Sequence, residues 1–93
     1  MFKVIGTEEN PDPDALKFVL NRPLVEVGVR QYDKARDASR DPLAARLFAL
    51  GGVKSVFCKG GFITVEKSPN RSWDDLIPAI IKVVEEKAGT DKF

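Results

Sequence analysis

The 93-residue chain contains one cysteine and no histidine, the two residue types that bind most transition metals in proteins. A single cysteine forms neither an internal disulfide nor a CxxC pair, so one copy of the chain cannot build a redox-active dithiol or a zinc site of the usual kind. Apolar runs stay well short of the ~20 residues that a membrane span needs. The first residues, MFKVIG, lack the basic start and long apolar segment of a signal peptide. These absences predict a cytoplasmic protein that does not enter a membrane.

An excess of charge of one sign is also missing. Lys and Arg total 15, Asp and Glu total 14, and the net charge is +1. Because no block of like charge marks a basic groove or arm, no nucleic-acid partner is predicted. A hydrophobic content of 43% over this length is enough for one modest core, so we expect a single domain over residues 1–93.

The segment VKSVFCKGGFITVEK, from Val53 to Lys67, has the pattern of a β-hairpin. Two strand-forming runs flank Gly60-Gly61, a pair that suits a type I′ or II′ turn. A two-residue loop would pair Lys59 with Phe62 and would sort the side chains onto two faces. The apolar face then consists of Val56, Cys58, Ile63 and Val65. We expect the neighbouring helices to cover it.

Three further strands are predicted before the hairpin, at Phe2–Ile5, at Leu16–Leu20 and at Val25–Arg30. The third has the glycine and charges of an edge strand, with its valines alternating toward one side. Gly6 and Thr7 are expected to end the first strand. The polar loop that follows should be stiff because Pro11 and Pro13 restrict it.

Helical periodicity marks two regions, Tyr32 to Leu50 and Trp73 to Ala88. The first divides into a polar turn or short helix and a helix with Asp41 as N-cap, Pro42 at its first position and Gly51 after its end. The second has Ser72 as N-cap, Pro78 as the site of a kink and Gly89 as its end, with a frayed tail from Thr90. The predicted fold class is α+β, with an antiparallel sheet of four to five strands and two main helices on one face.

Candidate chemical sites are few. Cys58 is expected among apolar side chains, where burial raises the pKa of a thiol and makes it inert. The acidic residues Glu8, Glu9, Asp12 and Asp14 lack the ligand spacing of a calcium loop, so we interpret them as a solvated loop. No catalytic residues are predicted, and no metal site.

Three aromatic residues could be exposed for binding. Helical spacing favours a core position for Trp73, with its indole N–H bonded near the surface. In the hairpin register Phe57 and Phe62 share the face opposite the apolar one, where they would form a docking surface unless another segment covers them.

The motifs NPDPDALKFVLNRPL, DPLAARLF followed by GVKSVF, FITVEK and WDDLIPAI occur in this order. The series resembles the N-terminal domain of the Nfu/NifU-type iron-sulfur cluster scaffold proteins, over roughly Phe2 to Ala88. The resemblance implies an antiparallel sheet backed by two helices. In that family the cluster is held by a CxxC motif in a separate C-terminal domain, which these 93 residues do not include.

The resemblance further implies a non-catalytic, accessory interaction domain in iron-sulfur cluster assembly or delivery, although family members are described as iron-binding. The expected partner is an assembly or client protein, and the chain alone is expected to bind no cofactor. The predicted interaction surface comprises Asn10, Asp12, Asp14, Lys17, Phe57 and Phe62. The alternative is direct iron or cluster binding by a dimer that brings two Cys58 thiolates together. A monomer or a weak homodimer is expected.

Overall fold

Residues 2–87, the part of the chain that the computed structural model describes, form a five-stranded antiparallel sheet and two α-helices. A short 3-10 turn, Ala35–Ala38, precedes the first helix. The predicted helix end at Ala88 and Gly89 and the predicted frayed tail lie outside the described residues. The elements in chain order are β1 (Val4–Glu9), β2 (Ala15–Leu20), β3 (Val25–Tyr32), α1 (Pro42–Ala49), β4 (Val53–Gly60), β5 (Phe62–Lys67) and α2 (Trp73–Lys87).

The central hairpin, β4 and β5, has the predicted register. Lys59 pairs with Phe62, and Cys58 pairs with Ile63. Gly60 has a φ of 53°, whereas the φ of Gly61 is not positive, which is the φ pattern of a type II′ turn. The strands lie in the order β1-β2-β5-β4-β3, so this hairpin and β2 form the middle of the sheet and β1 and β3 form its edges.

One face of the sheet is covered by α1 and α2, as predicted for a two-layer α+β fold. Buried and half-exposed residues alternate along β2 and β5, which is the pattern of strands with a single covered face. The core between the sheet and the helices includes Phe18, Leu43, Leu47, Val56, Ile63, Val65, Leu76, Ile80 and Val84.

The first strand differs from its prediction. It begins at Val4 and continues through Gly6 to Glu9, where the sequence suggested an end at Ile5. A register shift between Val4 and Gly6 accommodates the glycine, and pairing with β2 then continues as far as Glu9 opposite Leu16. Cross-strand hydrogen bonds therefore outweigh the turn propensity of Gly6 and Thr7.

The third strand is an edge strand, as predicted, but its valines do not all face the core. Val25 is buried, whereas Val27 is 90% and Val29 is 52% exposed. A register shift between Val25 and Val29, with Gly28 at a φ of 75°, interrupts the alternation. The strand also continues to Tyr32, where the sequence indicated the beginning of the helical region.

Both helices begin at the capping residues predicted for them. The Asp41 side chain accepts a hydrogen bond from Ala44 N at 3.2 Å, and Pro42 begins α1. The Ser72 hydroxyl accepts from Asp74 N at 3.1 Å at the start of α2. Pro78 lies inside α2, which continues without a break to Lys87.

Candidate functional site

The sheet face opposite the helices is not covered by any other element of residues 2–87. We call it the open face, and Lys17, Phe57 and Phe62 lie on it. Its side chains are half-exposed where their neighbours along each strand are buried. The open face follows from the period of two in β2, β4 and β5, because every second side chain along each strand points to the helices and the side chains between them point away.

Phe57 and Phe62 are adjacent at the centre of the open face. Their ring centroids are 6.1 Å apart with an interplanar angle of 35°. The Lys17 ammonium lies 4.2 Å from the centre of the Phe62 ring, a cation–π contact, and 3.3 Å from a carboxylate oxygen of Glu8. The structure thus places Lys17 against Phe62, on the same face as Phe57, rather than beside the loop at Asn10–Asp14.

The loop between β1 and β2 is stiffened by its own side chains as well as by its prolines. Asn10 Oδ1 accepts a hydrogen bond from Asp12 N at 3.1 Å, and Asp12 Oδ1 accepts from Asp14 N at 2.9 Å. These two Asx-type bonds fix successive turns of the loop. Asn10 and Asp12 are exposed, but Asp14 is partly buried and points inward.

The partner of Asp14 is Lys67, a residue that sequence reasoning did not single out. The Lys67 side chain is 8% exposed, and its ammonium lies 2.9 Å from Asp14 Oδ1 and 5.7 Å from the centre of the Trp73 ring. Its position was detectable, because residues 63, 65 and 67 share one face of β5. The ion pair ties the β1–β2 loop to the sheet, and whether Asp14 also contacts a partner stays a prediction.

A groove of about 460 Å³ lies between β1, the β1–β2 loop and the beginning of α2. We call it the β1–α2 groove. Trp73 lies half-buried in it, less enclosed than the predicted core position. Its indole N–H donates to Pro13 O at 2.9 Å, which is the predicted hydrogen bond near the surface. The apolar lining comes from Pro11, Pro13, Leu16, Trp73 and Ile77, and the polar lining from Thr7, Glu9 and Asn10.

Cys58 lies in the core, 3% exposed. Burial, with a smaller contribution from the charge of Asp41, raises the pKa of its thiol from 9.0 to about 12. A protonated, enclosed thiol is a poor nucleophile and a poor metal ligand. Within residues 2–87 no group of three His, Cys, Asp or Glu side chains is placed to hold a metal ion.

The fold and its topology define a small two-layer α+β domain with one uncovered sheet face. Residues 5–90 match the family model described as "Scaffold protein Nfu/NifU N terminal". The chain belongs to this family. Members are scaffold-type proteins, and the family resemblance inferred from the sequence motifs is confirmed.

Relatives with curated names show the same relationship. The chain is 40% identical over 80 residues to NifU-like protein 5, mitochondrial, of Arabidopsis thaliana, covering 86% of this chain and 29% of that protein. It is 37% identical over 84 residues to the NFU1 iron-sulfur cluster scaffold homolog, mitochondrial, of Homo sapiens, covering 89% and 33%. The chain therefore spans about a third or less of these relatives. Their names place those proteins in mitochondria, so a cytoplasmic location for this chain stays a prediction.

Solved structures share the fold. The crystal structure of Staphylococcus aureus protein SAV1430 superimposes with a TM-score of 0.73 at 26% identity, covering 87% of this chain and 96% of that one. The solution structure of a NifU-like protein from Saccharomyces cerevisiae gives a TM-score of 0.78 at 21% identity, covering 98% and 80%, which supports the fold alone. No helix in the described part of the chain is long and apolar enough to cross a membrane.

Proposed function

We propose that this chain is a non-catalytic interaction domain in iron-sulfur cluster assembly or delivery, and that its open face docks on a cluster-carrying or cluster-receiving protein. The observation that carries the proposal is the Phe57–Phe62 pair at the centre of an uncovered sheet face. The family description and the names of the relatives supply the class of partner.

The open face has the composition of a protein interface. Two aromatic rings form its centre, and charged groups surround them. Lys17 is paired to Glu8, Glu66 accepts from the Ser55 hydroxyl at 3.1 Å, and the exposed Lys59 is the cross-strand neighbour of Phe62. Because Lys17 already has Glu8 as its partner, docking over the rings would not leave that ammonium isolated.

In this proposal the chain alone holds no cofactor, and a cluster would be cargo carried by the partner. The alternative, a dimer that bridges iron or a cluster with two Cys58 thiolates, finds no support in the geometry, because Cys58 is 3% exposed in the middle of the sheet. Exposing that thiol would require moving the helices away from the sheet face that they cover.

The test is an NMR titration of the labelled chain with an iron-sulfur cluster scaffold protein and with a cluster-accepting apoprotein. We expect amide shifts that concentrate on the open face. Phe57→Ser should weaken binding tenfold or more, roughly what an aromatic anchor contributes. The matched control is Val27→Ser, since Val27 is a 90% exposed apolar residue outside the pair. Absence of shifts with both partners, or shifts confined to α1 and α2, would refute the proposal.

A further inference from the structure

We infer that the β1–α2 groove binds an extended, basic segment of a partner protein, which adds a strand to the edge of β1 and inserts one apolar side chain beside Trp73. The groove lies on the helix side of the sheet and the Phe57–Phe62 pair on the open side. The inference therefore holds or fails independently of docking at the open face.

The groove is preformed. Trp73 is held by its hydrogen bond to Pro13 O at 2.9 Å and by its contact with Phe18, whose ring centroid is 6.4 Å away. The opposite wall belongs to the β1–β2 loop, which its prolines and two Asx-type bonds make stiff. A volume of about 460 Å³ falls in the range of ordinary ligand pockets. A bulky apolar side chain can enter such a site with little ordering cost.

The adjoining backbone is a sheet edge. Within residues 2–87, β1 pairs with β2 and with no other strand. The start of this edge is closed, because Val4 N donates to Glu85 Oε2 at 3.2 Å, so the available part is Gly6 to Glu9. An edge of this kind can hydrogen-bond an added strand.

The register of β1 directs an added strand into the groove. Thr7 pairs with Phe18 and Glu9 pairs with Leu16, and both partners belong to the core. Thr7 and Glu9 therefore lie on the helix side of the sheet, where they line the groove. Because side chains alternate along a strand, every second residue of a segment paired with β1 would also lie on that side.

The charges around the groove select a basic partner. Glu9 lines it, Asp12 lies between the two lining prolines, and Asp74 follows Trp73. Among the described residues none of these three carboxylates has a cation within 4.0 Å, since the ion pairs involve other acids. Lys or Arg residues flanking the apolar anchor would supply the missing partners.

The same charges disfavour a second copy of the chain. Pairing of two β1 edges would place the Glu8 and Glu9 carboxylates of one copy close to those of the other. Like charges on adjacent strands are destabilising. The occupant inferred is therefore a different protein segment.

Trp73 provides a direct readout, because it is the only tryptophan in the chain. The probe is a capped peptide of about nine residues that alternates lysine and threonine around a central phenylalanine, which is long enough to pair along the four residues of the available edge with residues to spare at both ends. The control peptide has glutamate in place of each lysine. We expect a saturable change in Trp73 emission and shifts of the amides of residues 6–9 with the lysine peptide alone. Methylation of alternate peptide nitrogens should abolish both signals, because it removes the strand hydrogen bonds.

A pair of charge variants tests the assignment to this side of the sheet. Glu9→Lys should weaken the lysine peptide about tenfold and should allow the glutamate peptide to bind. Glu8→Lys makes the same change of charge one residue away on the open face, next to Lys17, and should alter affinity less than about twofold.

Four results would overturn the inference. They are no response to the lysine peptide, equal binding of both peptides, amide shifts confined to the open face, and self-association of the chain that protects the amides of residues 6–9 without peptide. Binding of the lysine peptide with reversal in Glu9→Lys alone would support it.

Discussion

Replacement of Asp41 tests the reasoning about this fold most directly, because its carboxylate connects β3 with α1. One oxygen accepts a hydrogen bond from Ala44 N at 3.2 Å and so caps the helix. The other accepts from the Tyr32 hydroxyl at 2.8 Å and lies 3.4 Å from Arg30 Nη1. Asp41 is 5% exposed, so water cannot easily replace these partners.

The magnitudes follow from these contacts. Asp41→Ala removes the cap, worth about 1 kcal/mol, and the Tyr32 bond, worth about 1 kcal/mol at a partly exposed site. With a smaller loss from the Arg30 pair, we expect about 2.5 kcal/mol less free energy of unfolding. Asp41→Asn keeps an equally good cap and an acceptor for Tyr32, so it should cost only about 1 kcal/mol.

The assay is urea unfolding of the three proteins, followed by the fluorescence of the single tryptophan. A double-mutant cycle with Tyr32→Phe should give a coupling energy of about 1 kcal/mol with Asp41→Ala. Equal losses for Asp41→Ala and Asp41→Asn would refute the capping argument. A coupling energy near zero would refute the role of the Tyr32 bond.

A pH measurement provides an independent check. Burial, and then the hydrogen bond and charge of Asp41, raise the pKa of Tyr32 from 10.0 to about 12. A group whose pKa is raised by folding contributes stability below its unfolded pKa and loses it as the pH rises through the folded value. Stability should therefore decline between pH 10 and 12. In Asp41→Asn the phenol, the only one in the chain, should ionise at lower pH, measured by tyrosinate absorbance.

Three other predictions concern the core and the loops. Cys58 has a pKa raised from 9.0 to about 12, so it should react with a bulky aromatic disulfide reagent only after unfolding; rapid labelling of the native protein would contradict this. Anaerobic reconstitution of the chain with iron and sulfide should give iron binding no different from that of Cys58→Ser. Asp14→Ala should lower the free energy of unfolding in urea by about 2 kcal/mol, because it removes the carboxylate that pairs with the buried Lys67 ammonium. Adding Lys67→Met should recover part of this loss, and a larger loss in the double variant would contradict the role of the ion pair. Gly52→Ala should lower the free energy of unfolding by about 2 kcal/mol, since the φ of 80° is strained for alanine and the new Cβ would displace Arg71. A melting temperature equal to that of the wild type would refute this prediction.

Much of the fold could be predicted from local pattern. The Gly60-Gly61 turn and the alternation around it define the hairpin register, because a one-residue slip would turn the apolar side chains to solvent. Asp41 followed by Pro42 defines the start of α1, since capping depends only on neighbouring residues. The ordered motifs also predicted the family correctly.

The candidate site was less predictable. Asp14 was expected at an interaction surface, and only the fold shows that it pairs with Lys67, which lies 53 residues away in the chain. Lys17 follows the β1–β2 loop in the chain, but the pairing of β2 with β5 places it over Phe62. Whether Asn10, Asp12, Asp14, Lys17, Phe57 and Phe62 contact a partner stays a prediction.

The sequence by itself determined the Gly60-Gly61 turn, the helix caps, the apolar face of the central hairpin and the family of this protein, because each depends on residues that are close in the chain or on the order of motifs. Only the tertiary structure decided that β1 extends to Glu9, that β3 turns Val27 and Val29 outward, and that β1 and α2 enclose a groove beside Trp73. These features depend on which strands pair, on which strand lies at an edge, and on contacts between residues far apart in the chain, such as that of Trp73 with Pro13. Local propensities carry no information about either.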